Sequence, residues 1–261
     1  MKRFWGLFVL LIFILGAIGV AVVFGCLNTN DPQQCYAAWL TAIGTIFLAF
    51  VAIFQDGIRS WLLRPNLRVS YEHSPPFGHL TFWRSGVNPE LQEPVYYFRF
   101  QVENEGQSQA GRCEAVLEEL WIYDAGGTPK KYPNFSPVNL RWVGANSQFI
   151  DINPKRRIYC DIGHISSFSY QTREERDPRR FVDIPGRDIS DTDLRFVFGQ
   201  DRVYYSQPNC VISGKYAIKV SVYSENAAYQ RVFFEIVWSG KWHATEQEML
   251  REIVIRCIKR P

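Results

Sequence analysis

The sequence carries none of the short signatures that usually announce an enzyme. It has no glycine loop of the phosphate-binding kind and no G-x-S-x-G element. Its six cysteines include no C-x-x-C pair, and its four histidines, His73, His79, His164 and His243, are scattered among them, so neither a zinc site nor any other cofactor is expected. A net charge of only +3 lacks the basic excess that nucleic-acid binding would need, so no nucleic-acid partner is expected. Charged residues are absent from 4–24 and again from 36–54, and the segment between, 25–35, has no Lys or Arg.

Those two uncharged runs dominate the reading of the first quarter. At a rise of 1.5 Å per residue they make helices of roughly 31 and 28 Å, close to the thickness of a bilayer core. Lys2 and Arg3 also suit the n-region of a signal peptide, but the run is longer than an h-region and no A-x-A site follows it. Lys2 and Arg3 before the first run, and Arg59, Arg64 and Arg68 after the second, place both termini in the cytoplasm by the positive-inside rule. The expectation is a multi-pass protein of a bacterial inner membrane: a two-helix transmembrane hairpin in residues 1–64, then a cytoplasmic domain in 65–261. Trp5, Tyr36, Trp39, Arg59, Trp61 and Arg64 then read as interface residues touching the lipid bilayer. Cys26 and Cys35 bracket the external loop, where they form either a disulfide across the helix ends or two free thiols. Ala37, Thr41, Thr45 and Ala49 give the second helix a stripe of small residues for the first helix or for another copy, a possible homo-oligomer.

After Pro65 the pattern alternates. Leu67, Val69 and Tyr71, then Tyr96, Phe98, Phe100 and Val102, then Cys113, Ala115 and Leu117 running on to Trp121 and Tyr123, read as strands with one buried face. Tyr216, Ile218, Val220 and Val222 form another, expected to pair as a hairpin with Val232, Phe234, Ile236 and Trp238. Thr245-Glu246-Gln247-Glu248 fits a capping box opening a short helix, and Ile253, Ile255 and Cys257 suggest a last strand. Many short strands with few helices predict a mainly-β sandwich, with residues 129–200 as an irregular insertion.

Val102-Glu103-Asn104-Glu105-Gly106, followed by Ala110 and a new strand, resembles the strand-turn-strand signature of immunoglobulin-like domains in bacterial cell-adhesion-related proteins. Ser213-Gly214-Lys215-Tyr216, Ser224-Glu225-Asn226-Ala227 and Trp238-Ser239-Gly240-Lys241-Trp242, with the N-terminal runs and Trp61-Leu62-Leu63-Arg64-Pro65, are similar to uncharacterised bacterial two-span membrane proteins bearing such a sandwich. The resemblance implies architecture and no activity.

Candidate chemistry is sparse. Cys160, Asp161 and His164 lie close in sequence, yet Ile158, Cys160 and Ile162 alternate as a buried strand would, and nothing marks the thiol as activated. Asp191-Thr192-Asp193 is either a cation loop or a solvated one. The charge-dense stretch 173–180 is either a recognition surface or a neutralised loop. Phe82 and Trp83, in a loop-like stretch rich in Pro and Gly, either dock on the membrane or pack as a satellite core. The expected function is a membrane-anchored, non-enzymatic binding or scaffold protein presenting its sandwich to a protein partner. The alternative is an oligomerising effector whose helices perturb the bilayer.

Overall fold

The computed structural model describes residues 32–84, 92–133, 135–167, 182, 190, 193–199 and 208–261. The chain divides into two compact units, Met1–Leu63 and Arg64–Pro261. In the first, the described structure is one helix, α1 (Pro32–Leu62), opened by a proline whose fixed φ and missing N–H suit a first helical position. The Thr41 and Thr45 hydroxyls donate to the carbonyls of Ala37 and Thr41, each at 2.8 Å, so these polar groups are satisfied within the helix itself.

The transmembrane hairpin is not found. Among the described residues no helix is long and apolar enough to cross a membrane, and the second uncharged run is only part of α1. Glutamines open that helix, Gly44 and two threonines interrupt its middle, and Asp56 and Arg59 lie near its end. The first expected span rested on its length, its lack of charge and its many Leu, Ile, Val and Phe residues, and the second on its length and lack of charge. The two-span hairpin and the multi-pass inner-membrane placement are corrected accordingly; residues 4–24 lie outside the described residues.

The second unit is mainly β, built from two seven-stranded sheets. The first sheet runs β1 (Leu67–Ser70), β3 (Gln92–Asn104), β9 (Arg157–Ser166), β10 (Phe196–Phe198) and β11 (Cys210–Val211). In it, β2 (Gly78–Arg84) adds to β3 and β7 (Arg141–Trp142) adds to β9. The second sheet runs β14 (Ile253–Ile258), β13 (Gln230–Trp238), β12 (Gly214–Tyr223), β4 (Ala110–Tyr123) and β5 (Pro129–Lys131). There β6 (Val138–Asn139) and β8 (Ile150–Ile152) also pair with β4. A short helix, α2 (Glu246–Glu252), precedes β14.

Period-two alternation turns Tyr96, Phe98, Phe100 and Val102 of β3 toward Leu117 of β4, Ile218 of β12 and Phe234 of β13, and these join one buried core. Burial of each large side chain contributes about 1.5–3 kcal/mol, enough for the alternating strands to override their weak local preferences. Residues 129–166, expected as an insertion of loops and extra strands, supply β5 to β9, and β9 is central to its sheet. The alternating Ile158, Cys160 and Ile162 belong to it; beyond them both its faces are buried, and a strand covered on both faces loses the alternation that marks half-buried strands. Phe82 and Trp83 lie on β2 and not in a loop.

Two side chains tie the sheets' connections. Asn104 is fully buried and uses its whole amide: Oδ1 accepts from the N–H groups of Asn66 and Gly106 at 3.1 and 3.0 Å. Its Nδ2 donates to the carbonyls of Ser108 and Ile152 at 2.8 and 2.9 Å. Gly106 is required beside it, because a Cβ there would stand 2.4 Å from the Arg64 carbonyl oxygen. At the start of β12, the Tyr216 hydroxyl donates to the Ile212 carbonyl, four residues upstream, at 3.0 Å.

Candidate binding surface

The second sheet has a partly open outer face. Because Tyr216, Ile218, Val220 and Val222 of β12 point into the core, Lys215, Ala217, Lys219, Ser221 and Tyr223 lie on the opposite side, where Ala217 and Ser221, with Glu235 of the neighbouring strand, are themselves buried beneath longer side chains. The registers set Val237, Glu235 and Phe233 of β13 beside them, then Val254 and Arg256 of β14 on one flank and Trp121 and Tyr123 of β4 on the other. Val237 and Val254 are 41% and 39% exposed.

Cross-strand pairs order this face. Glu235 accepts from Lys215 Nζ at 3.0 Å and from Arg256 Nε at 2.6 Å. Burial works to raise the Glu235 carboxyl, but those two hydrogen bonds outweigh it and hold its pKa below the ordinary value. Lys219 Nζ bridges Glu118 and Glu119 at 2.7 and 3.1 Å, and Lys131 reaches Glu119 at 3.1 Å. Both carboxyls are again depressed against their burial by these donors. The Tyr123 ring lies 4.3 Å from the Lys215 ammonium, Trp121 meets Phe233 at 5.8 Å, and Tyr223 stacks on Tyr229 at 6.0 Å. The result is a surface of aromatic rings and paired charges whose side chains hold one another in place.

The face ends at β14, whose backbone orientation follows from one hydrogen bond. Ser239 N–H donates to the carbonyl of Glu252, its directly opposed residue in the continued register, at 3.0 Å. Since opposed residues in an antiparallel pair alternate between bonded and non-bonded, Val254, Arg256 and Ile258 turn their backbone groups toward β13. Ile253, Ile255 and Cys257 turn theirs away, and the Ile253 N–H caps α2 by donating to the Met249 carbonyl. Ile255 is 1% exposed, so this edge is covered there.

The first sheet's outer face is covered. Asp161, His164, Ser166, Val197 and Cys210 are all buried there, with Asp161 only 6% exposed. Arg99 joins a polar cluster on that face, donating from Nε to Asp161 Oδ1 at 2.7 Å and from Nη1 to His79 Nε2 at 2.9 Å. An imidazole nitrogen that accepts from a guanidinium carries no proton, so His79 is neutral with its proton on Nδ1. Burial and then the Arg99 charge push the His79 pKa down, while burial lifts Asp161 against the pull of Arg99. Burial, with the Asp161 charge adding to it, raises the Cys160 thiol well above its ordinary value, so the thiolate needed for nucleophilic chemistry does not form near neutral pH. A groove of about 300 Å³ beside β9, lined by Val143, Ala145, Ile150, Asp151, Arg156 and Ile158, is shallow and open.

The structure gathers few of the residues singled out in the sequence. Trp5 and Cys26 lie outside the described residues, as do the whole stretch 173–180 and, of Asp191-Thr192-Asp193, the first two residues. Cys35, Arg59 and Trp61 lie in α1 with side chains outside the description; Tyr36 and Trp39 are exposed on that helix, and Arg64 is exposed where the second unit begins. Phe82 is 55% exposed on β2, and the Trp83 side chain is outside the described residues. Among the described residues no group of three or more His, Cys, Asp or Glu side chains is arranged to hold a metal ion. Sequence reasoning missed the His79–Arg99–Asp161 cluster, whose members are spread over three strands with no local spacing to betray them.

Comparison with protein-family models finds no match, and no curated protein matches the chain. Among solved structures, the X-ray structure of Northeast Structural Genomics Consortium target SoR45 is similar at 12% identity, covering 69% of this chain and 92% of that chain with a TM-score of 0.25. A TM-score that low carries no argument about this chain.

Proposed function

We propose that the protein is a non-enzymatic binding module that offers the open face of its second sheet to a protein partner. The observation that carries this is a difference between the two outer faces: one is buried over Asp161, His164, Val197 and Cys210, while the other leaves Val237, Val254, Tyr223 and Tyr229 exposed around buried Ala217, Ser221 and Glu235. The titratable groups of the covered face favour the same reading, since they are paired or held in unreactive states.

The sandwich itself we read as immunoglobulin-like. Support comes from the pairing of β1, β3 and β9 in one sheet against β4, β12 and β13 in the other, the order of such domains. The Tyr216 hydroxyl on the Ile212 carbonyl matches their tyrosine corner.

The test is site-specific photocrosslinking in cells with p-benzoylphenylalanine at Val237, Tyr223 or Phe82 of the full chain. Phe82 is exposed but belongs to β2 of the other sheet. One heterologous crosslink from Val237 and Tyr223, absent from Phe82, is expected. No crosslink from the open face, or equal crosslinks from all three positions, would overturn the proposal; crosslinks between two copies alone would replace the partner by a second molecule of this chain.

A further inference from the structure

We infer that the groove beside β9 holds the C-terminal residue of an apolar peptide, with its carboxylate on Arg156 and its backbone on Arg157. A turn in the chain opens this site. Just past β7, the Val143 N–H donates to the Tyr159 carbonyl at 2.9 Å. The cover of β9 stops there, because the Ala145 N–H bonds back to the Trp142 carbonyl at 3.2 Å through a turn that Gly144 completes at φ +75°. On the other side of β9, the Asn104 N–H donates to the Arg156 carbonyl at 3.2 Å. Opposed residues alternate between bonded and non-bonded, so in the register that sets Glu103 opposite Arg157 the Arg157 backbone turns away from β3 and toward the groove. Arg157 is exposed, and among the described residues its N–H and C=O meet no partner.

The groove of about 300 Å³ stands at the lower end of the range for ligand pockets, room for one side chain and not for a large molecule. Val143, Ala145, Ile150 and Ile158 give it half-buried apolar walls. Charge chooses the end group. The Arg157 guanidinium is taken by Glu103 at 3.0 Å, whereas the Arg156 side chain makes no hydrogen bond or ion pair among the described residues. A free guanidinium offers two parallel N–H bonds that match a carboxylate. Asp151, the acidic residue of the lining, accepts from the Arg112 N–H at 2.8 Å and repels a second acid, so the guest carries one carboxylate and is otherwise apolar. A terminal residue opposite Arg157 exchanges both ladder bonds. Its N–H donates to the Arg157 carbonyl, and the Arg157 N–H donates to one carboxylate oxygen, leaving the other oxygen for Arg156. Because the groove is open, the rest of the guest chain has a way out.

The probe is the peptide acetyl-Ala-Ala-Leu as the free acid, compared with its C-terminal amide and with free leucine, each titrated into isotope-labelled full-length protein. The readout is amide chemical shift. The free acid is expected to move Val143, Ala145, Arg157 and Tyr159 in one saturable step and to bind about tenfold or more tightly than the amide. Leucine, which sets an ammonium beside the Arg156 guanidinium, should bind more weakly than the peptide. Arg156→Gln should bring the acid down to the affinity of the amide, and Arg156→Lys should restore part of the difference. Lys155→Gln removes a neighbouring charge whose ammonium donates to the Glu105 carbonyl and should bind as the parent. All three variants should keep the parent's melting temperature. Equal binding of acid and amide, shifts confined to other residues, parental affinity in Arg156→Gln, or leucine binding as tightly as the peptide overturns the inference. So does the lack of any saturable shift up to about 5 mM peptide.

Discussion

Asn104 is the residue whose removal should be felt most. Four hydrogen bonds converge on its buried amide, each contributing about 1 kcal/mol net, and truncation strands their partners. Asn104→Ala should therefore lower the unfolding free energy by about 3 kcal/mol in urea titrations followed by tryptophan fluorescence. Gly106→Ala, which drives a methyl group into the Arg64 and Asn66 backbone, should cost about 1–3 kcal/mol in the same assay. The sequence made these two legible as turn residues. It gave no sign that the Asn104 amide reaches Ile152, because that partner belongs to a stretch without alternation. Tyr216 was legible as a core position, but nothing local disclosed the destination of its hydroxyl.

Among the elements, β3, β4, β12, β13 and β14 fall where alternation placed them, since each turns one regular set of apolar side chains into the core. The strand β9 was legible only in Ile158, Cys160 and Ile162, because the rest of it is buried on both faces. The helix α2 begins after Thr245 as expected, yet the Thr245 side chain caps no backbone N–H and bonds the Glu248 carboxylate instead, at 2.6 Å. The pairs linking elements also set the response to acid. His79, on β2, has a folded pKa below its ordinary 6.5, so the unfolded chain binds the proton first and stability must fall as pH drops through about 6.5. His79→Gln should flatten that limb of a melting-temperature profile between about pH 7.5 and 5.5. Glu118, Glu119 and Glu235 are depressed carboxyls; their contribution is whole above the ordinary carboxylate range and disappears as pH falls through their lower folded values. A second, steeper loss is therefore expected below about pH 4.5.

For the whole molecule, the division at Leu63 and Arg64 leaves the second unit with its own continuous core. A fragment beginning at Arg64, which keeps the backbone that Gly106 packs against, should unfold in one cooperative step by calorimetry; a broad, baseline-free melt would contradict a self-sufficient core. The membrane expectation failed at this scale. It was drawn from the length and composition of two uncharged runs and the basic residues flanking them, whereas no described helix is long and apolar enough to cross. The contrast between a covered and an open face was likewise invisible in the sequence, because it depends on which segments fold back over which sheet.

The helix before β14 has a role beyond covering the end of the sandwich. Its Met249 carbonyl accepts the N–H of Ile253, the residue that stands opposite Trp238 in the last pairing of the sheet. The residue that closes the helix is thus also the one that opens the strand. A slip of β14 along β13 would have to break the helix end at the same moment, so one turn of helix acts as a latch on the frame in which the strand is laid down.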